Sequence, residues 1–241
     1  MKVKIIIPAR YESSRFPGKP LAMIAGKTLI QRVYEKSVQA IPKENVYVAT
    51  DSQNIYDHCI EHNMNVVMTS SACLTGTDRI FEASEKIKSD LYINVQGDEP
   101  MIDPKDILKV IEAGKQDPAF VHCGYCKIKD EEEFFSRSVP KIVFDRNNNL
   151  LYMSRSGIPH NKDGKFTSGH KQVCIYSFNK DHLETFFSYG KKTPLESVED
   201  LELLRFLELG HSVKMVQVSQ SSIAVDFPED IKRVEEKLSK N

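Results

Sequence analysis

Through its first 115 residues the chain alternates between two periodicities, and this alternation restricts its fold more than any other feature. Short β-branched apolar runs at 3–7, 45–49, 65–68 and 91–95 are separated by amphipathic stretches of helical period at 28–40, 53–62, 78–87 and 104–113. Strands spaced by helices of this length form βαβ units, which build a mostly parallel sheet flanked by helices. The expected class is therefore α/β and Rossmann-like. Ligands of such sheets bind beyond the carboxyl ends of the strands, so the loops after each run are where chemistry is sought.

From 120 to 178 the pattern changes. Strand-like runs at 121–128, 139–144, 150–154 and 172–178 follow one another with turn clusters at 145–149 and 161–164, and helical stretches are mostly missing. This predicts an antiparallel insertion that extends the sheet or forms a dimer surface. Helical period resumes at 183–187 and 198–209, followed by a strand at 212–218 and a helix at 228–238. With no internal repeat, low-complexity segment or linker, residues 1–241 read as one domain with an embedded subregion.

Composition narrows the function. The chain carries 33 Lys+Arg against 34 Asp+Glu, and 40% of its residues are hydrophobic. A protein that binds nucleic acid by neutralising phosphates shows a basic excess, and a disordered chain combines low hydrophobicity with high net charge. Neither describes this sequence. No secretory signal precedes the first apolar run, and no segment reaches the ~20 apolar residues that span a bilayer. The five cysteines are an odd number, for which reduced thiols in the cytoplasm are the expectation.

The most informative loop follows the first strand: Pro8-Ala9-Arg10-Tyr11-Glu12-Ser13-Ser14-Arg15-Phe16-Pro17-Gly18-Lys19-Pro20-Leu21. Its prolines limit the conformations available, while Gly18 permits close backbone approach. Such a loop can wrap a polyanion the size of a triphosphate, with Arg10 and Arg15 as planar forks and Lys19 as a point charge. A solvated surface loop is the other reading of the same charges. It is not the G-x-x-x-x-G-K-[ST] loop. A second signal, Asn94-Val95-Gln96-Gly97-Asp98-Glu99-Pro100, follows the fourth strand. Asp98 suits Mg²⁺, and the Gln96 amide can reach a nucleobase edge. Capping does not account for Asp98, because Asp103 holds the cap position before Pro104. Asp226, taken alone, reads as an N-cap before Pro228.

Together and in order, Ile7-Pro8-Ala9-Arg10-Tyr11, Ser13-Ser14-Arg15, Pro17-Gly18-Lys19-Pro20-Leu21, Val48-Ala49-Thr50-Asp51, Thr75-Gly76-Thr77-Asp78-Arg79, Val95-Gln96-Gly97-Asp98-Glu99-Pro100-Met101-Ile102 and Val225-Asp226 with Pro228-Glu229-Asp230 closely resemble one family. It is that of the 3-deoxy-manno-octulosonate (KDO) cytidylyltransferases, or CMP-KDO synthetases, within the nucleotide-diphospho-sugar transferase-like α/β fold. The resemblance runs from Lys2 to Leu238. It implies a Mg²⁺-dependent transferase acting on CTP and an acidic 3-deoxy-2-ulosonic sugar, as a homodimer, for a bacterial surface polysaccharide. By resemblance, Arg10, Arg15 and Lys19 hold the triphosphate beside Ala9. Gln96 with Thr75, Gly76, Thr77 and Arg79 recognises the cytidine. Asp98 and Asp226 hold Mg²⁺, which reverses the capping reading of Asp226. Arg10, Arg15, Lys19 and Asp98 would be the catalytic set, and Arg155, Gln172, Tyr176 and Glu202 the sugar side.

Two positions depart from the family pattern. Gln172 stands where His is usual, and Leu203 replaces Gln in Glu202-Leu203-Leu204-Arg205. An apolar residue facing a buried hydroxyl costs about 1–3 kcal/mol, so an 8-amino-octulosonate or a nonulosonate is an alternative acceptor. A non-catalytic nucleotide-binding regulator is a further alternative, opposed by the retention of both metal carboxylates. Cys123-Gly124-Tyr125-Cys126 has redox-motif spacing but lies in a strand-like run without a second pair. His58 and His62 share a helical face with no third ligand evident in the sequence, and read as solvated. Glu131 to Glu133 read as an exposed loop or helix start, and His160 and His170 as surface residues.

Overall fold

The computed structural model of the chain describes residues 1–12, 16–219 and 223–240. Strand β1 (Val3–Ala9) leads through a loop and a 3-10 turn at Lys19–Leu21 to a hairpin of β2 (Met23–Ile24) and β3 (Lys27–Thr28). There follow α1 (Leu29–Ala40), β4 (Val46–Thr50), α2 (Gln53–Glu61), β5 (Val66–Met68), α3 (Gly76–Lys86), β6 (Leu91–Val95) and α4 (Pro104–Gln116). The second half runs β7 (Val121–Lys127), α5 (Glu131–Phe135), β8 (Lys141–Phe144), β9 (Leu150–Ser154) and β10 (His170–Phe178). It closes with α6 (Lys180–Ser188), α7 (Pro194–Glu199), α8 (Leu203–Glu208), β11 (Val213–Gln217) and α9 (Pro228–Leu238).

The unbroken apolar runs are explained by sheet order, β11-β7-β10-β6-β1-β4-β5. β1 lies between β6 and β4, parallel to both, so both its faces are covered and no polar alternation is expected. Ile5 and Ile7 face a core shared with α1, α2 and α4, whereas Ile6 faces a second core shared with α3, α6 and α8. All three isoleucines are fully buried, each contributing roughly 1.5–3 kcal/mol. The helices start where their caps allow. Thr28 accepts from Gln31 N at α1, Thr75 from Asp78 N at α3 and Asp103 from Lys105 N at α4.

The strand that shapes the site is β10, antiparallel to both β6 and β7. On its β6 side it changes partner along its length. His170 and Lys171 pair with β8, and Ile175 to Phe178 pair with β6. Between them Gln172 N donates to Pro140 O, and Cys174 O accepts from Gln96 N. The sheet thus parts beyond the carboxyl end of β6. Within the segment 120–178, β7 lies in the main sheet, antiparallel to β10 on one side and parallel to β11 on the other. The antiparallel hairpin β8–β9 extends the sheet through β10, turned by Asp145–Asn149 with Asn148 at φ 60°.

The predicted helix at 198–209 is two helices. Asp200 adopts φ 53° and its N–H bonds to Glu196 O, ending α7. Short acidic side chains tolerate this left-handed conformation better than most. The break leaves Glu202 at the start of α8, pointing back at α3.

His122 on β7 gives the fold an acid-sensitive point. It is 3% exposed, and its Nδ1 lies 3.0 Å from Ser177 Oγ. Burial pushes the imidazole from 6.5 down to about 4, with Asp117, His182 and Lys214 acting in smaller measure. The unfolded chain therefore takes the proton first. Stability from this group is whole above pH 6.5 and is lost as pH falls towards about 4, by about 3 kcal/mol in all. Urea midpoints measured near neutrality and at about pH 5 should diverge less in His122→Gln than in the parent; equal divergence would refute the assignment.

Among the described residues no helix is long and apolar enough to cross a membrane. Cys123 and Cys126 pack into opposite cores. Burial pushes both thiols up, that of Cys126 to about 11.

Candidate active site

Backbone geometry brings the first two loops together. A Cβ on Gly97 would lie 2.8 Å from Pro8 O, so only glycine lets the loop after β6 pass this close to the end of β1. Gly18, at φ 71°, closes the first loop by donating to Tyr11 O. Lys19 then reaches across, its Nζ 3.0 Å from Asp98 Oδ2 and 2.8 Å from Val225 O. Val225 N returns a bond to Asp98 O at 2.9 Å. Three chain segments far apart in sequence meet at this knot.

The knot also places Asp226. Val225 and Val234 of α9 pack on Ile24 and Leu29 beside the β2–β3 hairpin, which fixes the segment carrying Asp226. The capping work at α9 is done by Asp230, whose Oδ2 accepts from both Asp226 N and Phe227 N at 2.9 Å. Asp226 is therefore not the cap that its position before Pro228 suggests.

A second network lines the opposite wall. Glu202 accepts from Thr77 N at 3.0 Å and from Gln96 Nε2 at 2.9 Å, and burial pushes its carboxyl up against the pull of the Thr77 bonds. Because a carboxylate has only acceptors to offer, Gln96 must present its NH₂ to Glu202. Arg79 turns away from this contact, pairing with Asp51 at 2.7 Å and Thr69 Oγ1 at 2.6 Å. Beneath this wall, the fully buried side-chain amide of Asn94 has no hydrogen-bond partner among the described residues.

On the third side, Gln172 Nε2 lies 2.7 Å from Tyr176 Oη, and burial raises the Tyr176 phenol. Arg155, after β9, donates to the carbonyls of Glu199, Arg137 and Asp200. It keeps two of its five N–H donors beyond these.

These walls enclose a cleft of about 830 Å³. Ala9, Arg10, Lys19, Thr75, Gly76, Arg79, Gln96, Asp98, Arg155, Gln172, Tyr176, Glu202 and Asp226 all line it. Thr77 is buried behind the lining, and Arg15 lies outside the described residues. Leu203 corrects an expectation. It is 1% exposed within the second core and does not face the cleft, so Gln172 is the departure from the family pattern that lines the cleft. His170 packs against Tyr125 and Phe144.

Sequence reasoning missed the supports. Lys141 is fully buried, with Nζ donating to the carbonyls of Ser136, Val139 and Arg155; burial pushes it down to about 8. Glu199 accepts from Ser154 Oγ and Arg155 N. A lysine opening the apolar run Ile142-Val143-Phe144 was the available signal for the first.

The relatives of this α/β chain make it a nucleotidyltransferase. The chain belongs to the cytidylyltransferase family, whose model, described as Cytidylyltransferase, matches residues 4–216. It is 43% identical to the 3-deoxy-manno-octulosonate cytidylyltransferase of Protochlamydia amoebophila (strain UWE25), across 98% of this chain and 93% of that protein. It is 41% identical to the 8-amino-3,8-dideoxy-manno-octulosonate cytidylyltransferase of Shewanella baltica (strain OS155), across 99% of both. Among solved structures, CMP:2-keto-3-deoxy-manno-octonic acid synthetase complexed with CTP superposes with a TM-score of 0.91 at 35% identity, covering 100% of this chain and 99% of that one.

Proposed function

We propose that this chain transfers CMP from CTP to the anomeric hydroxyl of an acidic 3-deoxy-2-ulosonic sugar, KDO or its 8-amino analogue, releasing pyrophosphate. The observation that carries the reading is the one cleft lined by phosphate-side cations Arg10 and Lys19, by carboxylates Asp98 and Asp226, and by sugar-side Arg155. Relatives named for both acceptors support it.

The carboxylate oxygens of Asp98 and Asp226 are the donors a hard cation takes, and the bond from Val225 N to Asp98 O holds their segments together. They would hold Mg²⁺. Bound there, the ion would supply charge neutralisation at the phosphoryl oxygens. The side chains do the rest. Lys19 exchanges its Asp98 contact for phosphate oxygen, and Arg10 offers a planar fork. With Gln96 Nε2 committed to Glu202, Oε1 remains as an acceptor for the amino group of cytosine; uracil presents an acceptor there and is disfavoured. The donors left on Arg155 meet the sugar carboxylate. In the step itself the anomeric oxygen bonds to the α-phosphorus, the bond from that phosphorus to the α,β-bridging oxygen breaks in line, pyrophosphate departs and the hydroxyl proton is released. Positioning and electrostatics supply the acceleration.

Gln172, standing where the family usually places His, and a relative named for the 8-amino sugar support that acceptor as a second reading. Pyrophosphate release with CTP and Mg²⁺ across KDO, 8-amino-3,8-dideoxy-manno-octulosonate and a nonulosonate should show turnover with at least one octulosonate, and sharply less with UTP. No release with any acidic sugar would refute the proposal.

A cytoplasmic homodimer serving a bacterial surface polysaccharide completes it. All five cysteines are free, as expected of a cytoplasmic chain, and β9, whose only strand partner among the described residues is β8, exposes Leu151 at 61% within the 120–178 segment. A monomer in solution scattering would overturn the dimer.

A further inference from the structure

The structure supplies what the sequence lacked at His58 and His62. On α2, Glu61 joins them, and one ligand atom from each of the three lies within 4.8 Å of the others. The imidazole centroids are 4.1 Å apart. His62 Nδ1 lies 2.9 Å from His58 O; a carbonyl can only accept, so Nδ1 carries the proton and Nε2 the lone pair. His58 Nε2 lies 2.8 Å from Thr28 Oγ1. In the tautomer with that nitrogen donating to Thr28, the His58 lone pair is on Nδ1. Each ring is thus oriented through its other nitrogen by a protein oxygen, the arrangement that presents imidazole to a metal.

We propose that His58, Glu61 and His62 form a binding site for a borderline divalent transition metal, with zinc as its representative, separate from the cleft. Two imidazoles and one carboxylate suit Zn²⁺, Co²⁺, Ni²⁺ or Cu²⁺ rather than Mg²⁺, and three protein ligands leave a position for water. The site also fastens α2 to the chain that carries Lys19. Thr28 caps α1 and pairs with Met23 in the hairpin directly after the Lys19–Leu21 turn. A metal here is a clasp on the base of the first loop.

The test uses the full chain without an affinity tag, in excess Mg²⁺ so that the carboxylates of the cleft are filled. Equilibrium dialysis against zinc should find one ion bound per chain. His62→Asn should weaken binding at least tenfold, and Glu61→Gln should weaken it to a lesser degree. Zinc should raise the melting temperature of the parent and leave that of His62→Asn unmoved, because a ligand stabilises only the state that binds it. Cytidylyl transfer in Mg²⁺ alone should be unchanged in His62→Asn, which shows that the variant folds. Equal zinc affinity in the parent and His62→Asn, or no zinc on the parent, would overturn the site without touching the proposed transfer reaction.

Discussion

Asp98→Asn should lower pyrophosphate release from CTP by about a thousandfold, the scale of losing one preorganised electrostatic group, while moving the melting temperature by only a few degrees. The two readouts separate because Asp98 does little for the fold. Its side chain is 26% exposed, and a partly solvated pair such as Lys19–Asp98 contributes about 0.2–1 kcal/mol. Asparagine keeps an oxygen for Lys19, and the backbone bond from Val225 N to Asp98 O needs no carboxylate. What disappears is one negative charge at the proposed cation site. Asp226→Asn should behave in the same way. If the two carboxylates act as a unit, the double variant should be hardly slower than either single one. Transfer rates that survive Asp98→Asn would remove this residue from the metal site.

The parallel half of the sheet was legible because β1, β4 and β6 are covered on both faces and carry their burial as continuous apolar runs. The cations of the first loop and the carboxylates after β6 were legible because strand ends in such a sheet are where ligands bind. The place of β10 between β6 and β7 was not, because strand order is settled by partners far away in sequence. For the same reason the Gln96–Glu202 bond, across 106 residues, left no local pattern. Leu203 misled because family position suggested a polar contact, whereas the left-handed turn at Asp200 starts α8 so that Leu203 enters the core and Glu202 faces the cleft. Asp226 read as a cap because the sequence alone does not show Asp230 reaching back over it.

The buried cluster around Arg205 should give the largest loss of stability from one substitution. Arg205 is fully buried. Its Nε and Nη2 donate to the two Glu196 oxygens at 2.7 Å, its Nη1 donates to Asp78 Oδ1 at 3.0 Å, and its guanidinium lies 3.7 Å from the Phe186 ring centroid. Arg205→Ala leaves the buried carboxylates of Glu196 and Asp78 without their cation, which costs about 3–5 kcal/mol. For a chain of this size that is roughly 6–20 °C in melting temperature. High salt should not diminish the difference, since ions screen exposed pairs far more than buried ones. Adding Glu196→Gln and Asp78→Asn should recover part of the loss by removing the stranded charges, a result that cavity formation alone would not give. Function should follow through Asp78, whose Oδ2 accepts from Thr75 Oγ1 at 2.8 Å at the start of α3. Three residues before Arg205, Glu202 holds the same helix end through Thr77 N. A variant that stays folded at low temperature should therefore bind CTP more weakly, with KM raised more than kcat is lowered. A melting temperature within two or three degrees of the parent would mean that the cluster is replaceable by packing, and that α3 is held by its cap and by Glu202 alone.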